Sequence, residues 1–351
     1  MIPILGDLHA GVRDGNRLMM KHQLDYLELV FIPYLLENGI NEIIQTGDVF
    51  DVRKYTNTEV LAEWKRRFFD VLLKHNISMI VYVGNHDLFY KNKISPNSVT
   101  ENLGSYKNIT IIEKPTELII QGMSCLFVPW ICGENEDDCM DAIRNSKADI
   151  CFGHFEIKGA KMESSTCTDG LPLSTFNRYK RCISGHFHIA GSYENVQYVG
   201  TNYQTSWGDY GIDKGLYVID PKSLDLQFIK NEREIFHRIT YNEDVNNSLL
   251  VDGMDYTDQY LKVVIEHRID FKRYEAWLLT VENCGASSLT VIEPFLDRDE
   301  EDCLVEVDGE LNVASTADLI KDYIEDVYPE KKVGLQKLML GLHSNAQRIY
   351  G

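Results

Sequence analysis

The sequence predicts an α/β fold: two mixed β-sheets packed face to face and flanked by helices, then a small α+β unit and a C-terminal helical segment. Three observations predict it. From the start to about Asp225, short apolar runs alternate with longer amphipathic segments, the rhythm of βαβ units. Beyond the first few, the apolar runs draw closer together, as strands joined by turns do. After about Asp225 the composition changes, and a strand–helix–strand unit is followed by an acidic stretch and helical patterns.

The strand candidates, in order, are PIL, EIIQT, MIVYV, ITII, ELIIQ, CLFVP, DICF, RCIS, QYVG and LYVID. An amphipathic segment from about Arg17 to Asn38 separates the first two and stops at Gly39, a residue suited to the left-handed end of a helix. Pro33 lies inside it; without an N–H it predicts a kink or a break. The next helix covers Asn57 to Asn76, with Asn57 or Thr58 as N-cap. Its WKRRFF stretch carries Trp64, Phe68 and Phe69, as suited to burial against a partner subunit as to a basic, aromatic surface.

Residues 1–225 form the expected first domain. Residues 226–296 form the small unit, with LKVVIEHRID and SSLTVIEPF as strands around the helical FKRYEAWLLTVENCG. The acidic DRDEEDCLVEVDGE places a solvated linker at about 297–312. Two helical patterns broken at Pro329 fill 313–351. Leu335, Leu338, Met339 and Leu342 recur there at helical spacing, a stripe that packs on the chain's own core or docks on a partner helix.

Hydrophobic content of 44% and charged content of 25% are ordinary for a globular protein. The net charge of -19 argues against indiscriminate adhesion to nucleic acid or acidic membranes. A local basic groove is still compatible with it, because charge is felt within roughly 8–10 Å. The eight cysteines include no CxxC pair and several sit in apolar runs, which predicts reduced, buried thiols and a cytoplasmic setting. MIPILGD is too short for a signal-peptide core, and no apolar run approaches the ~20 residues of a membrane span.

Five apolar runs end alike, in glycine followed by Asp, Asn or His. GDLHAG carries Asp7 and His9; TGDVFD carries Asp48 and Asp51; VGNHD carries Asn85, His86 and Asp87; FGHFE carries His154; SGHFH carries His186 and His188. A lone Gly-Asp or Gly-His is ordinarily a turn. Five together at the carboxyl ends of strands, where α/β sheets form their ligand crevice, predict convergence in space. The donor set is too large for one tetrahedral ion and suits two near-octahedral ions sharing a carboxylate. Nitrogen and oxygen ligands without thiolate favour manganese, iron or zinc over calcium. His22, a little downstream, reads as structural.

The ordered set DxH, GDxxD, GNHD, GH and GHxH resembles the calcineurin-like metallophosphoesterases. Within them, GDVFDVRK, VGNHDLFYKN and GHFHIAG are similar to SbcD-type DNA-repair nuclease subunits, bacteriophage members included. The resemblance spans Asp7 to His188. It implies a metallophosphoesterase sandwich that holds one ion by Asp7, His9, Asp48 and His188. A second, bridged by Asp48, is held by Asn85, His154 and His186, with the ions ~3.5–4 Å apart. The implied ions are manganese, with magnesium as the alternative. The implied chemistry is in-line attack on phosphorus by a metal-activated water. His86 resembles the catalytic histidine that steadies the phosphate or protonates the leaving oxygen, and Asp51 is placed to orient it. Asp87 is either a partner of the ligands or a cap for the segment that follows.

The family further implies that 226–296 is a small α+β capping domain and that the helices of 313–351 dock on an ABC-type coiled-coil ATPase. It implies an exonuclease and endonuclease in DNA recombination, repair and replication, a homodimer joined to that ATPase in a heterotetramer, and host cytoplasm if phage-encoded. Arg13, Arg53, Lys54, Lys91 and Lys93 lie beside the motifs as candidate contacts to flanking phosphates. The metal motifs alone do not choose a substrate, so a small-molecule or cyclic-nucleotide phosphodiesterase is the alternative. A scaffold with a lapsed site would lack a ligand, and all seven are present.

Overall fold

The computed structural model describes residues 1–162, 165–244, 254–292, 335 and 339. Two six-stranded sheets make the body. The first runs β12(Leu226–Lys230), β11(Gly215–Ile219), β1(Ile2–Leu5), β2(Glu42–Gln45), β3(Ser78–Tyr82), β4(Ile109–Ile112). β1 to β4 are parallel; β11 and β12 close that edge antiparallel. The second runs β5(Thr116–Ile120), β6(Met123–Val128), β7(Ile150–His154), β8(Arg181–Gly185), β10(Val196–Tyr198), β9(Gly191–Tyr193). Its centre is parallel and its two outer strands antiparallel.

Central strands of such a sandwich are covered on both faces, which is why they read as continuous apolar runs. Ile4, Ile44, Tyr82, Phe127, Phe152 and Ile183 fill the space between the sheets. Leu24, Phe31, Trp64 and Phe68 pack helices on the outer face of the first sheet, and Cys139 and Ile143 pack the helix Glu136–Asn145 on the second.

Trp64, Phe68 and Phe69 correct one expectation. All three are completely buried in the chain's own core, with Phe31 and Phe68 centroids 6.4 Å apart. An amphipathic stripe states that a face is covered, and here the first sheet covers it. Apolar side chains left exposed on this helix and on the preceding one are Leu29, Val30, Leu36 and Leu73. Pro33 neither stops nor sharply breaks its helix. Arg17–Tyr26 continues through a π-helical turn, Leu27–Phe31, into Ile32–Glu37, with Ile32 N donating to Leu27 O. The wider turn falls where proline removes a donor and crowds the preceding turn. Asn57 caps the following helix, its Oδ1 accepting from Glu59 N at 2.9 Å.

β12 belongs to the first sheet, so the body extends to Lys230, past the expected boundary at 225. The small unit is a parallel sheet, β13(Phe236–Asn242), β14(Tyr260–His267), β15(Ser288–Ile292), with the helix Phe271–Glu282 between the last two. Tyr241, Val263, Trp277 and Val281 form its core. It meets the body where Met19 and Trp207 pack on Ile235, Phe236 and Tyr260. Seven cysteines among the described residues are free and buried. No helix among the described residues is long and apolar enough to cross a membrane. The expected linker at 297–312 lies outside the described residues, as does the tail at 313–351 except Leu335 and Met339; Leu338 and Leu342 of its stripe are therefore outside them too.

Candidate metal centre

The parallel strands β1, β2 and β3 end side by side, and so do β7 and β8 in the facing sheet. Each strand turns sharply into its ligand. His9, Asp48 and His186 take left-handed backbones, with φ of 45°, 50° and 86°. Such conformations are uncommon without a glycine and cluster where a site over-determines them. The glycines are needed for room: a Cβ on Gly84 would run into Asp48, and one on Gly185 would sit 2.5 Å from Thr46 O and 2.6 Å from Asp7 Oδ1.

Two clusters of ligand atoms result, Asp7–His9–His188 and Asp48–His154–His186, each set within 4.8 Å, and His9, Asp51 and His86 form a third such group beside them. His9 Nε2 and His188 Nε2 stand 2.9 Å apart across 179 positions of sequence. Asp48 Oδ2 is 3.2 Å from His154 Nε2 and 4.0 Å from His9 Nε2, so one carboxylate reaches both clusters. Asn85 Oδ1 lies 2.9 Å from His154 Nε2 and 2.9 Å from His186 Nδ1. The same amide corner is 3.2 Å from Asp48 Oδ2, while its nitrogen faces Arg53 Nη2 at 3.3 Å. Lone pairs thus converge on lone pairs. Such a donor set suits a divalent cation; without one, the amide is better turned over, its two N–H groups facing these three atoms and its oxygen accepting from Arg53.

Neighbours fix the ring nitrogens. His154 Nδ1 donates to Thr46 O at 2.7 Å, which leaves Nε2 to face the centre. His186 Nε2 meets Glu156 Oε1 at 3.2 Å, leaving Nδ1 for the centre. His9 Nδ1 sits 3.1 Å from Asp51 Oδ1, an ion-pair contact without ideal hydrogen-bond alignment. His86 Nδ1 donates to the main-chain carbonyl of Asp51 at 2.7 Å, and its ring stands edge-on to His9 at 5.0 Å. Asp51 therefore divides its work: its backbone orients His86, and its carboxylate serves His9. Asp87 is fully buried, accepting from Gly84 N and Phe50 N at 2.9 and 3.2 Å, which ties together the loops that carry Asn85 and Asp48.

The electrostatics follow from so many carboxylates. Burial alone would lower His9, yet Asp51, Asp48 and Asp7 push it up to about 9. His154 is also pushed up to about 9, burial being outweighed by Asp48 and Asp7. Burial would raise Asp48, and His154 and His9 hold it well below the carboxylate range. Asp87 is pushed up to about 7 by burial and the charge on Asp48.

Of the candidate phosphate contacts, Arg53 reaches the centre. Lys54, Lys91 and Lys93 are exposed nearby in sequence. Arg13 lies over the rings of Phe236 and Tyr260, 5.6 and 5.2 Å from their centroids, and so joins the first ligand loop to the small unit. Three further residues support the centre without any motif to mark them. Glu156 meets His186. Lys214 donates to His188 O at 2.8 Å, and its buried ammonium pairs with Asp209 at 2.5 Å. Trp130 packs on His186 and His154, at 5.1 and 5.9 Å.

A family model for calcineurin-like phosphoesterases matches residues 2–190. Over 324 residues the chain is 32% identical to exonuclease subunit 1 of Enterobacteria phage T4, covering 92% of this chain and 91% of that protein. It is 24% identical over 285 residues to the DNA double-strand break repair protein Mre11 of Nanoarchaeum equitans (strain Kin4-M), covering 72% and 76%.

Proposed function

Because the chain belongs to the calcineurin-like phosphoesterase family, we propose that it is a metal-dependent DNA nuclease, cutting phosphodiester bonds at the ends of these strands. The observation that carries the reading is the pair of ligand clusters joined by Asp48. Asp7, His9, Asp48 and His188 would hold one ion; Asp48, Asn85, His154 and His186 would hold the other. When bound, two such ions, manganese in the first instance, supply Lewis acidity and acidify a water. Arg53 beside Asn85 is placed for a phosphate oxygen. His86, with Nδ1 fixed on a carbonyl, presents Nε2 to steady that phosphate or to give a proton to the leaving oxygen. DNA as substrate is supported by the two relatives named for exonuclease and break-repair roles.

The phage relative is named as a subunit, which supports a larger assembly. In the reading that the motif resemblance implies, the partner is an ABC-type ATPase that adds grip on DNA to a chain of net charge -19, working in the cytoplasm. Exposed Leu29, Leu36 and Leu73 support a homodimer through the helices of the first sheet. Cleavage of labelled linear duplex DNA with Mn2+, beside cyclic nucleotides, tests the reading. DNA is degraded and cyclic nucleotides are not; the reverse result overturns it.

A further inference from the structure

A small cavity of about 170 Å³ adjoins the centre, lined by Trp130, Ile131, His154, Phe155, Glu156 and Leu171, with Gly170 at its wall. Drug-sized ligands need roughly 300–1,000 Å³, so this one has room for a single ring system. Its lining is mostly apolar and aromatic, and its one acid, Glu156, repels phosphate. Both sides are held in place. Trp130 N donates to Val83 O at 2.7 Å, and Trp130 O accepts from Asn135 Nδ2 at 3.0 Å. Opposite, Leu171 N donates to Glu156 O at 2.9 Å and Lys158 N to Leu171 O at 3.0 Å. Gly170 allows that approach, since a Cβ there would meet Glu156 O at 2.8 Å.

We infer that this cavity receives one unpaired nucleobase of the substrate, with Trp130 as its stacking platform. The inference rests on the nuclease reading above. Three features commit the site to that occupant. His154 is both a wall of the cavity and a member of the ligand cluster, so whatever enters lies within about one nucleotide of the bond being cut. An uncharged flat ring matches an apolar, aromatic slot beside a carboxylate, and aromatic side chains stack bases with little regard to sequence. A base inside a duplex is stacked and paired, so it reaches such a slot only after it has been unstacked. Trp130 is then a specificity-determining residue that makes a frayed end or single strand the form of DNA that is cut.

The test is single-turnover cleavage by the full chain with Mn2+, on single-stranded oligonucleotides carrying one abasic residue at successive positions around the cleaved bond. The intact protein slows about tenfold at one position, the size of one base–aromatic stack. Trp130→Ala cuts the base-bearing and abasic substrates at equal rates, and Trp130→Phe restores the difference. Abasic substrates all cut within twofold of the parent by the intact protein would overturn the inference, as would discrimination that survives in Trp130→Ala. The comparison on intact protein needs no variant to fold. Hydrolysis of bis(p-nitrophenyl) phosphate separates the two readings. Diester hydrolysis without DNA cleavage sinks the nuclease and the base slot together, whereas DNA cleavage without abasic sensitivity sinks the slot alone.

Discussion

Two groups of buried histidine sit in opposite surroundings. At the strand ends, His9 and His154 lie among Asp7, Asp48 and Asp51 and are pushed up to about 9. Where the body meets the small sheet, His22 lies near Lys21 and Arg233 and is pulled down to about 4, by burial first and Arg233 next. His237 beside it, only half-buried, is lowered by burial against the opposing pull of Glu234. His9, His154 and His22 are the same residue type at similar burial, and at His22 burial with Arg233 and Lys21 outweighs the one nearby anion, Asp25. What differs is the sign of the charge the fold brings alongside. Anions gathered around imidazoles make a place for cations; cations beside an imidazole keep it neutral.

The comparison breaks most sharply at Asp48. Asp48→Ala removes the carboxylate common to both clusters, and Mn2+-dependent turnover is expected to fall further than for any other single change. Calorimetry should show at least one Mn2+ lost; retention of both ions would end the bridging role. His86→Ala comes next, with turnover reduced about 10²- to 10⁴-fold and Mn2+ binding unchanged. A loss of metal in that variant would make His86 a ligand instead.

The third prediction concerns the other group. His22 titrates lower in the folded chain than its ordinary 6.5. Between about 6.5 and 4 the unfolded chain therefore binds the extra proton, and stability is lost as pH falls through that window. The full difference is about 3 kcal/mol, read by urea unfolding at pH 7 and pH 4.5. In His22→Gln the acid-side slope should flatten, and an unchanged slope would place the sensitivity elsewhere. The smallest effect is expected at Glu156. Glu156→Gln weakens the hold on His186 and lowers Mn2+ affinity about 10- to 100-fold, leaving DNA cleavage recoverable at high Mn2+.

Much of the centre was legible because each ligand follows an apolar run and a glycine, and strands in one sheet must end near one another. The glycines proved legible for a second reason: at 84 and 185 the neighbouring strand's ligands leave no space for a side chain. What escaped the sequence was every contact set by tertiary packing. Nothing in the spacing of Lys214 announces that its ammonium ends on the carbonyl of His188. Nothing in GHFE says that Glu156 turns back to His186. WKRRFF specifies a buried stripe on a helix but not which surface buries it, and the chain's own sheet did. Asp51 was expected to orient His86, and the atom of it that reaches the ring is its main-chain carbonyl, which any residue type supplies.

The 179-position gap between His9 and His188 has a consequence for how the molecule comes into being. Loops of that length close late, because non-local pairings wait on the strands between them. During synthesis at ~5–20 residues per second, roughly 10–40 s pass between the emergence of the two histidines. A chain stalled or clipped before SGHFH has one cluster without His188 and the other without His186. Under the proposed two-ion reading, the full ligand set is therefore not assembled until SGHFH has been made.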